Sequence, residues 1–254
     1  MKLFEIISDY ILTHDLKPGS ESYYRRCAKV FKNYLGYEPD DLQFSANLVN
    51  TFIRDKTLAG KSPYYCRSLR NALRALLRHV HPDCGRLRPV KCRELLNDTW
   101  SPEDVTNLAA AAKSKEMRLL ILVAYYTGLS GCDLRRLERK HVANNGVIHF
   151  ARQKTGKRVV VAIPPELLPE LPTEGLLFPL RTTEEWFRRC FQGVVKRAGL
   201  CGTFKKLRRS SGTAIEMMHP GRGHIHLGNT RSIFETNYLD KQRDVIPMMP
   251  PRAG

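Results

Sequence analysis

Residues 127–142 read TGLSGCDLRRLERKHV. The stretch opens on a Thr-Gly-Leu turn that closes the apolar run MRLLILVAYY, and continues into a segment of the kind that starts a helix, with Leu134 and Leu137 on one face. Upstream, SPEDVTNLAAAA predicts another helix: Ser101 is a capping residue, Pro102 suits the first turn, and Glu103 and Asp104 meet the positive end of the helix dipole. Downstream the period changes. NNGVIHFARQKTGKRVVVAIPPELL carries two short β-branched runs flanking KTGK, which predicts a small hairpin. Helix returns in TTEEWFRRCFQGVVKRAGL, with Trp186 or Phe187, Cys190 or Phe191, Val194 and Val195 inward and Gly199 at the stop. It continues through TFKKLRRSSGTAIEMM and, with loops, to Tyr238.

The first 80 residues also read as helices. Leu3, Ile6, Ile7, Tyr10 and Ile11 fall at helical spacing before the turn KPGS, and a second helix is expected from Ser20 through YYRRCAKVFKNYL. A third covers Ala46 to Leu58. In the fourth, GKSPYYCRSLRNALRALLRHV, Ser62 caps, Pro63 takes the first helical position, and Leu69, Leu73, Leu76 and Leu77 form a stripe. Its outer face carries Arg67, Arg70, Arg74 and Arg78 with no acidic residue between them, a pattern suited to phosphate contact. HPDCGRLRPVKCRELLNDTW then breaks the periodicity and adds Arg86, Arg88, Lys91 and Arg93, which reads as a basic linker. The expected architecture is mainly α (α+β). It has a helical domain at 1–85, a linker at 86–100, and a mainly helical domain with a small antiparallel sheet at 101–254.

Among 254 residues there are 42 Lys plus Arg against 25 Asp plus Glu, a net charge of +17 spread over both halves. Such a field favours a polyanionic partner, nucleic acid first. No apolar run approaches the roughly 18 residues of a spanning helix, and MKLFEIISDYILTHDL carries Glu5, Asp9 and Asp15 where a signal peptide would be basic and then apolar. The expectation is a cytoplasmic, nucleoid-associated protein with no membrane partner. The seven cysteines are scattered and never form a CxxC pair, so they read as reduced thiols. His79, His81, Cys84 and Cys92, and likewise His219, His224 and His226, lie close in sequence without paired-ligand spacing, so no metal site is expected.

Four stretches, in order, resemble the boxes of the tyrosine recombinase or phage integrase family, over roughly residues 3 to 245. TGLSGCDLRRLERKHV is similar to the first arginine box, TGLR followed by an acidic residue and two leucines; Asp133, Leu134 and Leu137 match, and Ser130 stands at the arginine. ARQKTGKRVVVAIP resembles the hairpin that supplies the catalytic lysine, which implies that role for Lys154. KKLRRSS resembles the HxLRH box, with Arg208 at its arginine, Lys205 where histidine is usual, and Lys206 and Arg209 as further DNA-binding cations. LGNTRSIFETNYLD resembles the last box, with Asn229 at a His/Trp position and Tyr238 at the nucleophile. The resemblance implies a small helical core-binding (SAM-like) domain joined to a mainly helical catalytic domain with a three-stranded sheet. It further implies double-stranded DNA as partner, a homo-tetramer on paired sites, and no cofactor, because a 3'-phosphotyrosyl link conserves the bond energy.

Two readings follow from the resemblance, beside a third in which the chain is an RNA-binding helical protein with no relation to recombination. In the first, the chain is a recombinase in DNA integration and recombination, weakened at Ser130. A missing oxyanion clamp costs about 3 to 4 kcal/mol in the transition state, a roughly hundred- to thousandfold rate loss. Serine is too short and uncharged to replace a bidentate guanidinium. Arg135 and Arg136 would have to reach back through a shifted loop, and His226 would have to stand in for Asn229. In the second reading, the chain is a catalytically silent DNA-binding protein derived from a recombinase.

Overall fold

The computed structural model describes residues 1–92, 97–179 and 184–240, in two compact units, Met1–Glu94 and Leu95–Gly254. The first unit is built from α1 (Leu3–Thr13), α2 (Pro18–Leu35), α3 (Ala46–Leu58) and α4 (Pro63–Val80). Ser45 and Ser62 cap α3 and α4 by accepting hydrogen bonds from the backbone N–H groups of Leu48 and Tyr65. α2 starts at Pro18, two residues before the expected Ser20. Proline lacks the N–H that a first helical turn leaves unused, so KPGS both ends one helix and begins the next.

The apolar stripes meet in one core. Leu3, Ile6 and Ile7 of α1, Phe31 of α2, Phe52 of α3, and Leu69, Leu73, Leu76 and Leu77 of α4 are buried there, and the Phe31 and Phe52 rings cross edge-on at 5.0 Å. The chain after α4 stays on this unit. Leu87 joins the core, and the Arg70 guanidinium donates to the carbonyls of Leu87 (2.8 Å) and Arg88 (2.7 Å). His79 pairs with Asp9 and His81 bonds the carbonyl of Asp41, so both histidines tie the end of α4, one to α1 and the other to the loop before α3.

The second unit begins with α5 (Pro102–Ala110), α6 (Lys115–Thr127) and the short α7 (Gly131–Leu134). Ser101 and Asp104 form a reciprocal capping box on α5, and Ser114 caps α6. β1 (Val147–Ala151) and β2 (Arg158–Ala162) pair antiparallel, Val147 opposite Ala162 and Ala151 opposite Arg158. Ile148, Phe150, Val159 and Val161 point into the core, while Val160 is exposed. Among the described residues the sheet has two strands, not three; Val142 adds a single bridge to Ile148. The helices α8 (Glu184–Arg197), α9 (Phe204–Met218), α10 (Gly223–His226) and α11 (Arg231–Asn237) complete the unit. On α8 the inward residues are Phe187, Phe191, Val194 and Val195; Trp186 is exposed.

Eight of the thirteen residues of α6 are buried, and α9 packs along it. Gly212 of α9 lets α10 and α11 close down, since a Cβ there would lie 2.7 Å from Leu227 and 2.9 Å from Phe234. Asn97 donates to the carbonyls of Thr236 and Leu239, and the Trp100 backbone N–H to Ser210 Oγ, so residues 97–100 lie against α9 and the end of α11. No helix among the described residues is long and apolar enough to cross a membrane, and among them no group of three or more His, Cys, Asp or Glu is arranged to hold a metal ion.

Candidate active site

Arg208 and Lys205 stand one helical turn apart on α9, on the face turned towards the end of α11. Arg208 is buried and is where three chain segments meet: it donates to the carbonyls of Gly128 and Leu227 (2.8 Å) and to Asn229 Oδ1 (3.4 Å). Gly128 closes α6 in the left-handed conformation, at φ +59°, which turns its carbonyl into this junction. Tyr238 follows α11, held by a hydrogen bond from Thr213 Oγ1 to its carbonyl. Its ring lies under two cations, with Arg208 Cζ 5.0 Å and Lys205 Nζ 5.4 Å from the centroid. Burial opposes ionisation of the phenol. The charge of Arg208, a hydrogen bond from it, and the charges of Lys205 and Arg152 outweigh that burial, and they hold Tyr238 below the ordinary tyrosine value.

Ser130 lines one recess with Lys205, and its hydroxyl donates to Asp133 Oδ2 at 2.7 Å. Asp133 is buried, and its other oxygen accepts from the backbone N–H of Gln153 at 3.0 Å, which ties the serine turn to the hairpin. Arg135 and Arg136 do not reach back. Arg135 stacks over Phe187 (5.5 Å) and Arg136 over Phe150 (5.8 Å). Lys154 sits on the exposed hairpin turn with no partner among the described residues. His226, which would have to replace Asn229, bonds Ser211 Oγ at 2.7 Å; burial, with Arg208 and Arg152 near, lowers its pKa to about 4.

One residue of the site was not singled out in the sequence. Arg152, at the base of the hairpin turn, is buried, and its Nε and Nη2 have no hydrogen-bond partner among the described residues. Burial and the nearby Arg208 lower its pKa to about 10, against the opposing influence of Asp133 and Tyr238, so it is charged at neutral pH. Asn229 Nδ2 is likewise buried and unpartnered. The only sequence signal for Arg152 was its place two residues before Lys154, where alternation alone cannot tell a buried arginine from a solvated one.

A lambda integrase dimer bound to a COC' core site matches this structure with a TM-score of 0.75 at 18% identity, over 96% of this chain and 79% of that one. This chain has the integrase fold. The Tn1549 transposon integrase in complex with transposon right end DNA matches with a TM-score of 0.72 at 14% identity, over 93% of this chain and 95% of that one. XerH site-specific recombinase bound to palindromic difH substrate matches at 0.59 and 18% identity, over 78% and 70%. No family model and no curated protein matches the sequence.

In this integrase fold the cations expected to bind DNA divide by what already holds them. Arg70, Arg74, Arg78 and Arg86 line a recess of about 400 Å³ in the first unit, with Arg70 committed to the carbonyls after α4. Arg67, Arg88 and Lys91 are exposed, Arg67 stacking on Tyr64. Arg93 lies outside the described residues. Lys206 departs from expectation: it is buried over the Trp100 ring, and its ammonium is bound by Asp98 at 2.5 Å and the carbonyl of Cys201. One residue along a helix from Lys205, it turns about 100° away and falls on the packed side. Arg209 donates to the carbonyl of Asn237, so it fastens α11 rather than projecting freely.

Proposed function

We propose that this chain is a tyrosine recombinase that binds double-stranded DNA and exchanges strands through a 3'-phosphotyrosyl intermediate. The observation that carries the reading is the Tyr238 phenol lying under Arg208 and Lys205, its ionisation favoured by their charge, in an integrase fold. Tyr238 ionises, its proton passing to solvent, and its Oη attacks the scissile phosphorus; the bond from phosphorus to the 5' oxygen breaks, and that oxygen takes up a proton. Arg208 and Lys205 balance the charge that develops on the non-bridging oxygens. Lys154 is assigned the proton on its place in the hairpin. Attack by a 5' hydroxyl of another strand reverses the step and releases Tyr238. A lambda integrase tetramer bound to a Holliday junction shares the fold at a TM-score of 0.75, which supports a homo-tetramer on paired sites.

The experiment uses nicked duplex carrying a site selected by the full chain from a random-sequence pool. A covalent protein–DNA adduct is expected, and Tyr238→Phe abolishes it. The second reading, a silent DNA-binding protein, is favoured by Ser130 standing at the arginine position with its hydroxyl committed to Asp133. Tight binding without adduct at high protein concentration would select it.

A further inference from the structure

Two arginines are buried in the second unit among the described residues, and they differ in what they touch. Arg208 places its donors on Gly128, Leu227 and Asn229. Arg152 is 8% exposed, and neither Nε nor Nη2 meets an acceptor. Buried guanidinium N–H groups without an acceptor are unfavourable, so folded chains rarely keep them without use. Asp133 is a carboxylate whose charge acts on Arg152, and both of its oxygens already accept, from Ser130 and from Gln153.

The surroundings of Arg152 are rich in donors. Asn229 turns its oxygen to Arg208 and leaves Nδ2 unpartnered. Gly228, at φ +60°, brings bare backbone against the guanidinium; a Cβ there would lie 3.2 Å from Arg152 Nε and 2.9 Å from Val159. Arg152, Arg208 and Lys205 all act electrostatically on the Tyr238 phenol. Buried donors and positive charge therefore surround one hydroxyl, and what would satisfy them is an anion with several acceptor oxygens.

We propose that Arg152 is a catalytic residue: it supplies the second guanidinium of the phosphate clamp from the hairpin, in place of the arginine absent at position 130. Its Nε and Nη2 donate to oxygens of the scissile DNA phosphate, alongside Arg208. Asp133 acts as a positioning residue, because its bond to the Gln153 N–H fixes the backbone next to Arg152 while its bond to Ser130 holds the serine turn. The inference rests on the recombinase reading of the same pocket. It changes what Ser130 means, since the clamp is relocated rather than halved.

The test measures adduct formation on the selected nicked duplex by the full chain. Arg152→Ala is expected to slow it roughly a hundred- to thousandfold, while affinity for intact duplex falls less than about tenfold. Arg152→Lys should retain part of the rate, and Ser130→Arg introduced into Arg152→Ala should recover part of what was lost. If Tyr238→Phe abolishes the adduct but Arg152→Ala stays within about threefold of wild type, the recombinase reading stands and the clamp assignment falls. If wild type forms no adduct, the recombinase reading fails and orthovanadate binding to the full chain decides. At least about tenfold weaker binding in Arg152→Ala would support an oxyanion site at Arg152, and equal binding, or none by wild type, would overturn it. Arg152→Met guards against misfolding: an apolar chain in place of an unpaired charge should leave Tm unchanged or higher, and a lower Tm would mark a structural guanidinium and sink the proposal.

Discussion

His226 shows how a residue's neighbours change the chemistry its name suggests. A histidine three positions before Asn229 could act as a proton donor if it were charged near neutrality. Its imidazole is instead buried against Ser211, beside Arg208 and Arg152, with a pKa of about 4. It enters the folded state neutral and holds α10 to α9. The folded pKa lies below that of a free histidine, near 6.5, so between those values the unfolded chain takes up a proton that the folded chain refuses. Stability contributed by this group is therefore present at neutral pH and is lost as pH falls from about 6.5 towards 4, by roughly 3 kcal/mol at the end of that range. Urea unfolding at about pH 7 and about pH 4.5 should show His226→Gln losing less stability with acid than wild type, and equal losses would contradict the assignment. His226 was visible in the sequence without any sign of its protonation state, which depends on residues of α9 and of the hairpin.

At the scale of elements, α9 organises the site. Its buried face packs on α6, its Arg208 and Lys205 reach Tyr238, and Gly212 admits Leu227 and Phe234 of the segments that carry Asn229 and Tyr238. Gly212→Ala sets two effects against each other. Alanine favours an isolated helix by about 1 kcal/mol, but its Cβ would sit 2.7 Å from Leu227, and overpacking of that kind costs about 1 to 3 kcal/mol. The collision wins or nearly cancels the gain, so Tm should not rise, and adduct formation should fall because α10 and α11 are displaced with Asn229 and Tyr238. An alanine variant with raised Tm and undiminished adduct would show that the close approach is unimportant. The resemblance already set Lys205 apart at the histidine position of its box, but it left Lys206 as a DNA-facing cation, and the burial of that side chain was not readable. Lys205 and Lys206 are chemically alike, and only the packing of Trp100 against one side of α9 separates them.

Over the whole molecule, the net charge of +17 is the property most directly tied to DNA. If six to ten of its cations meet phosphates, duplex affinity should drop about a thousandfold or more between roughly 50 and 200 mM salt, as released counterions are returned to the helix. A flat response in a filter-binding or anisotropy titration would remove DNA as the partner. Local signals along the chain were enough for much of the architecture. Serines at 45, 62, 101 and 114 start helices because each satisfies an N–H within its own turn, leucine stripes select the buried faces, and KTGK between two β-branched runs sets the hairpin. These depend on residues a few positions apart, so one dimension suffices. The sheet's stopping at two strands among the described residues, the inward turn of Lys206, the neutral His226 and the buried Arg152 with its unpartnered Nε and Nη2 depend on groups brought together from distant segments. Burial and charge pairing are properties of that assembly, and they place Arg152: Asp133 anchors the hairpin through the Gln153 N–H, and Gly228, bare of a Cβ, leaves room for the Arg152 guanidinium.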